Sequence, residues 1–459
     1  MDGAVIERLR RTLDGRVTMP TDGDYDLERS TFNATISRRP AAIVRVHSTN
    51  DVVAAVRAAN DLGLPIAVRG GGHSVAGHAV ADGALVVDLR DLRTVTVDPE
   101  RRHARVAGGA LWDDVDAATW AHHLTLVGGT FGDTGVAGLT LGGGIGWLMG
   151  TQGLTCDNLI RAEIVTAAGD RVVAGPDGDP ELLWALRGGG GNFGVVTSFE
   201  FRLADPGALI GGHLTYPIDA TEQVLRRVAE VAATAPDALT LTAMVGVHDE
   251  LAGAEPAVAS VSVAWAGDPD SLDRVLRPLR TNLSPVEDDV AEMSYLELQA
   301  MAGRLPFGLR HYWKGHFLSA LDDAVVGGVV DSLAGAPGAL GGILLESLRG
   351  AARSEPEGGA AFGQRGATWN ASALAIWERE EHDDGQIAWA RAAADRVGVG
   401  SFAGAGYANY APVDETAERV RLAFGNERFE RLTQVKRRYD PDNRFRFNLN
   451  FPPAPISAS

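Results

Sequence analysis

Between two short apolar runs, residues 65–68 and 84–89, the chain reads Arg69-Gly70-Gly71-Gly72-His73-Ser74-Val75-Ala76-Gly77-His78. Apolar runs of that length around such a segment predict two buried strands joined by a tight loop. Three consecutive glycines strip the tip of Cβ atoms, so the backbone can take positive φ and turn its N–H groups on a large anion. A diphosphate suits such a tip. No Lys-Ser/Thr pair follows, which excludes a nucleoside-triphosphate P-loop. No helical period follows directly either, which excludes a Rossmann fingerprint. Taken alone, the segment reads equally well as a glycine-rich turn with an incidental histidine.

Two further glycine regions weigh against that plainer reading. One runs from Gly128 and Gly129 through Thr130, Phe131, Asp133, Thr134, Gly135 and Gly138, and continues as Leu141-Gly142-Gly143-Gly144-Ile145-Gly146. The other is Gly188-Gly189-Gly190-Gly191-Asn192-Phe193-Gly194-Val195-Val196-Thr197. Each glycine loses more conformational freedom on folding than any other residue. Such density implies close backbone approach to a ligand or to another strand.

The chain has 459 residues, enough for two or three domains with real cores. Its net charge of −18 argues against nucleic acid or an anionic membrane as main partner. One cysteine, Cys156, allows neither a disulfide framework within the chain nor a cysteine-based zinc or iron–sulfur site. It reads as a buried apolar residue, and no metal site is expected. The first seventeen residues are amphipathic without an apolar signal core, and no run approaches a membrane span. The expectation is a cytoplasmic protein of a reducing compartment, monomeric by default.

Along the chain, helix 2–14, strand 43–46, a helix capped by Thr49-Asn50-Asp51 and the glycine loop give a small α+β lobe. Strands at 95–97, 104–107, 162–166, 171–173 and 199–203 and helices at 111–122 and 181–187 follow. The texture changes at Ala204-Asp205-Pro206-Gly207, which we take as a domain boundary. Beyond it, strands are expected at 213–216, 239–245, 257–266, 310–318, 343–347, 369–377 and 402–408. Helices fall at 222–233, 271–279, 320–333 and 384–397. The fold class is therefore α+β, with a seven-stranded antiparallel sheet covered by helices on one face. The other face is left to cover a ligand. Helices at 414–424 and 427–439 precede the tail Tyr439-Asp440-Pro441 through Phe447-Asn448-Leu449-Asn450. There Asn448 and Asn450 alternate and share a face.

The three glycine regions and this tail, in this order, resemble the berberine-bridge-enzyme-like branch of the vanillyl-alcohol oxidase class of FAD-linked oxidases. The resemblance covers nearly the whole chain. It implies a two-lobed FAD-binding domain of the PCMH type at residues 1–205, a substrate domain at 206–424, and a return to the FAD domain at 425–459. It implies a covalent bond from His73 to the flavin 8α-methyl carbon. The family's second bond comes from a cysteine at the place of Phe131, so one link and no cysteinyl link is expected. Thr134 falls at the family's oxygen-access place.

Diphosphate and ring contacts are then expected from Arg69, Gly70, Gly71, Gly72, Ser74, Gly77, His78, Gly129, Thr130, Thr134, Gly135, Gly138, Gly143, Gly144, Gly146 and Val196. Amide partners for the ring's polar edge would be Asn448 and Asn450, which read otherwise as a capped turn.

The implied chemistry is dehydrogenation of a secondary alcohol, hemiacetal or amine carbon of a small molecule, with O2 as acceptor and hydrogen peroxide as product. Hydride leaves most easily when the O–H or N–H proton is removed at the same time. Tyr407 and Tyr410, in Gly406-Tyr407-Ala408-Asn409-Tyr410, resemble the family's tyrosine base segment. On a strand, Tyr407 and Asn409 would share a face. A phenol near pKa 10 needs a neighbour's help to act at neutral pH. Substrate contacts are expected from His311, Trp313, Arg365, Trp369 and Asn409, with Gln364 where relatives often carry a histidine. Two other readings remain open: an oxygenating or ring-closing flavoenzyme of secondary metabolism, and a flavin-binding protein with little catalysis.

Overall fold

In the computed structural model, the first glycine motif lies between two buried strands, as its flanking apolar runs predict, but those strands run parallel, so residues 70–84 form a long crossover and not the expected tight loop. The structure describes residues 2–247, 257–304, 306–333, 335–336, 341–402, 404 and 406–455. Strands β1 (Arg16–Thr18), β2 (Ala42–Arg45), β3 (Ile66–Arg69) and β4 (Leu85–Asp88) form a four-stranded sheet in the order β1-β2-β4-β3. β2 and β3 flank β4 in parallel register, and β1 pairs antiparallel with β2. Helix Thr49–Asp61 buries Val52, Ala55, Val56 and Ala59 against this sheet. Its cap is Ser48, one residue before the expected Thr49: the Ser48 hydroxyl accepts from the Asp51 N–H.

A second, antiparallel sheet holds β5 (Val95–Asp98), β6 (His103–Ala107), β7 (Leu159–Val165), β8 (Arg171–Ala174) and β9 (Val195–Arg202), in the order β5-β6-β9-β7-β8. Its core takes in Trp112, Phe199, Phe201 and the helix Pro180–Leu186. Residues from far along the chain join it: Val420 and Phe424 of helix Ala417–Phe424, and Leu432, Val435 and Tyr439 of helix Asn426–Tyr439.

The third sheet is antiparallel and runs β13-β10-β12-β11-β16-β17-β15, with β14 also on β10. Its members are β10 (Leu209–Pro217), β11 (Leu239–Val247), β12 (Val258–Ala266), β13 (Glu287–Asp288), β14 (Ala291–Glu292), β15 (Arg310–Leu318), β16 (Gly342–Ser347) and β17 (Trp369–Trp377). Helices Thr221–Thr234, Pro269–Arg280, Asp323–Leu333 and Asp383–Val397 pack on one face, burying Leu214, Val261, Leu345, Trp369 and Trp377 between them. The opposite face carries Trp313, Leu344 and Leu374, which meet Val75 of the glycine motif. The expected α+β class and helix-covered antiparallel sheet are therefore found.

One expected strand is not. Among the described residues of 402–408 none is a strand; Ala403 and Ala405 lie outside the described residues. Ser401 makes one bridge to Leu318, Gly404 takes φ +66°, and Ala408–Tyr410 closes into a 3₁₀ turn. A left-handed residue ends extended pairing, so the apolar alternation read there has no ladder to join. The seventh member of the ordered path is the two-residue β13 instead.

Candidate active site

The glycine regions converge on one cavity of about 280 Å³. The first loop lines it with Gly70, Gly71, Gly72, His73, Ser74 and His78, and the second with Gly129, Thr130, Phe131, Thr134, Gly135 and Gly138. Gly188 to Gly191, Val196 and the tail residues Phe445, Phe447, Asn448 and Leu449 supply a further wall. The helix-free face of the large sheet and the turn after it add Trp313, Tyr407, Asn409 and Tyr410. The first two loops cross at van der Waals range. A Cβ on Gly71 would overlap the Gly135 backbone nitrogen, and one on Gly135 would overlap the Gly71 nitrogen. Their glycines are needed for each other as well as for any guest.

The tail is held by a buried ion pair. Lys436 Nζ donates to Asp440 Oδ2 at 2.7 Å, to Asn192 O at 2.8 Å and to Phe445 O at 2.8 Å. Both charged side chains are wholly buried. Asp440 also accepts from the Arg444 and Phe445 N–H groups. Every polar atom of the pair is thus used, as a buried charge requires. The third glycine region and the tail are thereby clamped together beside the cavity.

Several residues expected at the site stand elsewhere. The Arg69 guanidinium is buried away from the cavity, donating to Glu28 O and Ser30 O with Asp88 at 3.6 Å, so it braces strand ends. Gly77 turns the chain against Ile36 and does not line the cavity. Gly143, Gly144 and Gly146 lie behind the lining residues Gly142 and Ile145. Asn448 lines the cavity, whereas Asn450 does not. Arg365 is locked to Asp157, with Nη1 2.8 Å from Oδ2, and covers the Phe362 ring. Trp369 is on the helix-covered face, because odd-numbered residues of β17 point that way. His311 is buried one layer back, stacked on Phe32 at 4.3 Å; burial pushes it down to about 3, so it stays neutral.

The two tyrosines differ in their partners. Tyr407 Oη accepts three N–H bonds, from Gly144 N at 2.9 Å, Ile145 N at 3.0 Å and Asn409 Nδ2 at 2.8 Å. It is 2 % exposed, and burial raises its phenol above the usual range against the pull of those donors. Tyr410 Oη instead donates to Glu346 Oε1 at 3.2 Å. Glu346 was not singled out in the sequence. It sits on β16 opposite Asn370 of β17, whose Nδ2 donates to Oε2 at 2.6 Å. Burial pushes this carboxyl up to about 7. Trp313 meets Tyr410 edge-on at 5.4 Å and Tyr407 meets it at 4.9 Å, so its ring has little freedom.

At the other side, the His73 ring stacks on Phe32 at 4.4 Å and meets Phe307 edge-on at 5.1 Å. Its Nε2 lies 3.5 Å from Asp133 Oδ2. Asp133 also went unnoticed in the sequence. Burial would raise its carboxyl, but His73 brings it below the usual value. Unpartnered buried polar atoms remain on lining residues: His73 Nε2, His78 Nε2, Trp313 Nε1 and Asn448 Oδ1. Burial lowers His78 to about 4, so it faces the cavity neutral. A guest with both donors and acceptors is needed to satisfy these atoms.

Residues 40–175 match the FAD binding domain family, and residues 406–452 match the family described as berberine and berberine like. The (R)-6-hydroxynicotine oxidase of Paenarthrobacter nicotinovorans is 33 % identical over 460 residues, covering 96 % of this chain and 97 % of the relative. The crystal structure of 6-hydroxy-D-nicotine oxidase from Arthrobacter nicotinovorans superposes with a TM-score of 0.86 at 30 % identity, covering 96 % and 98 %. Glucooligosaccharide oxidase from Acremonium strictum, which carries a 6-S-cysteinyl, 8α-N1-histidyl FAD, shares the fold at a TM-score of 0.86 and 23 % identity, covering 98 % and 100 %.

Proposed function

Because this chain belongs to the berberine-bridge-like FAD-linked oxidases, we propose that it dehydrogenates a secondary alcohol, hemiacetal or amine carbon of a small ring-bearing metabolite, with O2 as final acceptor and hydrogen peroxide as product. The hydroxynicotine oxidase relative supports an amine or alcohol carbon. The aromatic wall of Phe131, Trp313 and Tyr410 supports a flat or cyclic substrate.

The residues present fit FAD. Gly70, Gly71 and Gly72 of the first loop, and Gly135 and Gly138 at the start of helix Val136–Leu141, bring backbone to the cavity, which suits a diphosphate. Asn448, His78 and the Trp313 indole offer free polar atoms to a heteroaromatic ring. His73 is the attachment point, and Phe131 at the cysteine's place leaves a single link. FAD, once bound, supplies the two-electron acceptor.

The protein's part is to orient substrate and move a proton. Tyr410 Oη takes the proton from the substrate O–H or N–H and passes its own to Glu346 Oε1. The observation that carries this reading is the 3.2 Å Tyr410–Glu346 hydrogen bond at the cavity wall. A phenol with a carboxylate acceptor can give its proton away while gaining another; Tyr407, surrounded by donors, has no such outlet. Tyr407 positions the Gly144–Ile145 backbone.

Anaerobic mixing with a panel of secondary alcohols, hemiacetals and cyclic amines, followed by loss of the flavin's visible absorbance, identifies the substrate. With that substrate, reduction slows as pH falls below about 7, where Glu346 becomes protonated. Glu346→Gln slows reduction about 100-fold and flattens that pH dependence. An unchanged pH profile in the variant would remove Glu346 from the reaction.

A further inference from the structure

Among the described residues, Asp133 is the one carboxylate in ion-pair range of His73, and the rest of the histidine's surroundings fix how the two meet. The imidazole is held between the face of Phe32 and the edge of Phe307. Phe32 is itself pinned from its far side by His311. Asn33, next in the chain, donates to Val75 O at 2.7 Å and to His311 O at 2.9 Å, tying the glycine motif to β15. The ring therefore cannot turn freely. In this orientation Nε2 is buried and faces Asp133 Oδ2 at 3.5 Å, an ion-pair distance, with no hydrogen-bond partner among the described residues. Asp133 Oδ1 is buried and likewise unpartnered, so the carboxylate has no competing obligation. It stands in the second glycine loop, between Gly132 and Thr134, with its position set by the crossing of the two loops.

The other charged groups nearby do not replace it. Arg304 pairs with Asp113 and only adds positive potential at Asp133. His311 is neutral in its buried place. The carboxylate is half-shielded from water, and the histidine stabilises its ionised form.

We propose that Asp133 keeps the proton of His73 on Nε2, leaving the Nδ1 lone pair as the nucleophile that bonds to the 8α carbon of FAD, and that Asp133 then takes the Nε2 proton. The chain thus attaches its own cofactor. This rests on the reading of His73 as the attachment point. In the step, one C–H bond at the 8α carbon is lost to solvent as a proton and one Nδ1–C bond is gained. Two electrons are left on the isoalloxazine, and O2 removes them as hydrogen peroxide together with the two protons released. A carboxylate that sets the tautomer and accepts the imidazole proton does for His73 what the orienting carboxylate does for a catalytic histidine base.

The test uses protein made in riboflavin-starved cells, then supplied with FAD in air. Non-covalent binding is read by quenching of flavin fluorescence, and covalent attachment by acid-quenched samples over time. Asp133→Asn keeps the shape and loses the charge. It is expected to bind FAD with unchanged affinity and to attach it about 100-fold more slowly. Asp133→Glu restores part of the rate, which a loop-shaping role would not predict. Attachment in Asp133→Asn at the wild-type rate, with flavin on the His73 peptide, overturns the role of Asp133. Wild-type protein with no acid-stable flavin, or with flavin mapped to another peptide, overturns the His73 reading itself, and the two failures are distinguished by that map.

Discussion

Replacing Tyr407 by Phe separates a tyrosine that holds the site together from one that reacts in it. Gly144 N–H, Ile145 N–H and Asn409 Nδ2 all donate to the Tyr407 hydroxyl oxygen. Asn409 keeps a second bond, to Leu139 O at 3.1 Å. The two backbone donors cannot turn away. A buried donor left without a partner costs about 1–3 kcal/mol. Taking the lower part of that range for two donors gives about 2–3 kcal/mol. A chain of 459 residues unfolding as one unit has an unfolding entropy of about 1 kcal/mol per kelvin. The melting temperature should therefore fall by about 2–3 °C. Tyr410→Phe loses one hydrogen bond to Glu346 and should melt closer to wild type. The order reverses in rapid-mixing reduction: Tyr410→Phe slows flavin reduction about 100-fold or more, the usual size of a lost general base, and Tyr407→Phe less than about 10-fold. An unshifted melt for Tyr407→Phe combined with a reduction defect as large as that of Tyr410→Phe would refute the assignment of roles.

Lys436→Met removes one half of a wholly buried pair and should cost about 3–5 kcal/mol; the expected outcome is faster proteolysis within residues 440–450 and weaker FAD retention, and a variant with wild-type digestion would overturn the clamp. Asp116, which accepts from Gln299 Nε2 at 3.0 Å, has its carboxyl pushed by burial from 3.8 up to about 8. An acid whose folded pKa is raised holds its proton in the native state between those values, so its contribution to stability declines as pH climbs from about 4 to 8. Asp116→Asn should gain thermal stability over wild type between pH 6 and pH 9, and parallel melting curves across that range would contradict it.

What the sequence made legible was the backbone plan. Glycine density located all three regions that meet at the cavity, because close crossing such as that of Gly71 and Gly135 tolerates no Cβ. Alternation located six of the seven expected strands. What alternation leaves open is which set of alternate residues meets the helices. Trp369 was expected beside the substrate and lies under the helices, while Glu346, on the strand beside it, faces the other way and meets Tyr410. A lone acidic residue in a strand resembles an exposed one until its cross-strand partner, Asn370, is known. Arg365 was misplaced for a similar reason: its carboxylate partner Asp157 is 208 positions away. Asp133 was hidden by its neighbours, since a polar residue among glycines is the ordinary content of a turn.

The clamp at Lys436 also bears on when the cofactor site comes into being. It joins Asn192 to residues 244 positions later, and Phe445 to Leu449 form part of the cavity wall. A nascent chain that has produced the glycine loops but not this segment has a cavity with one wall missing. Flavin loading is therefore a late event, gated by synthesis and docking of residues 436–449. A ribosome stalled before that point would display the nucleotide-binding loops without the means to retain what they bind.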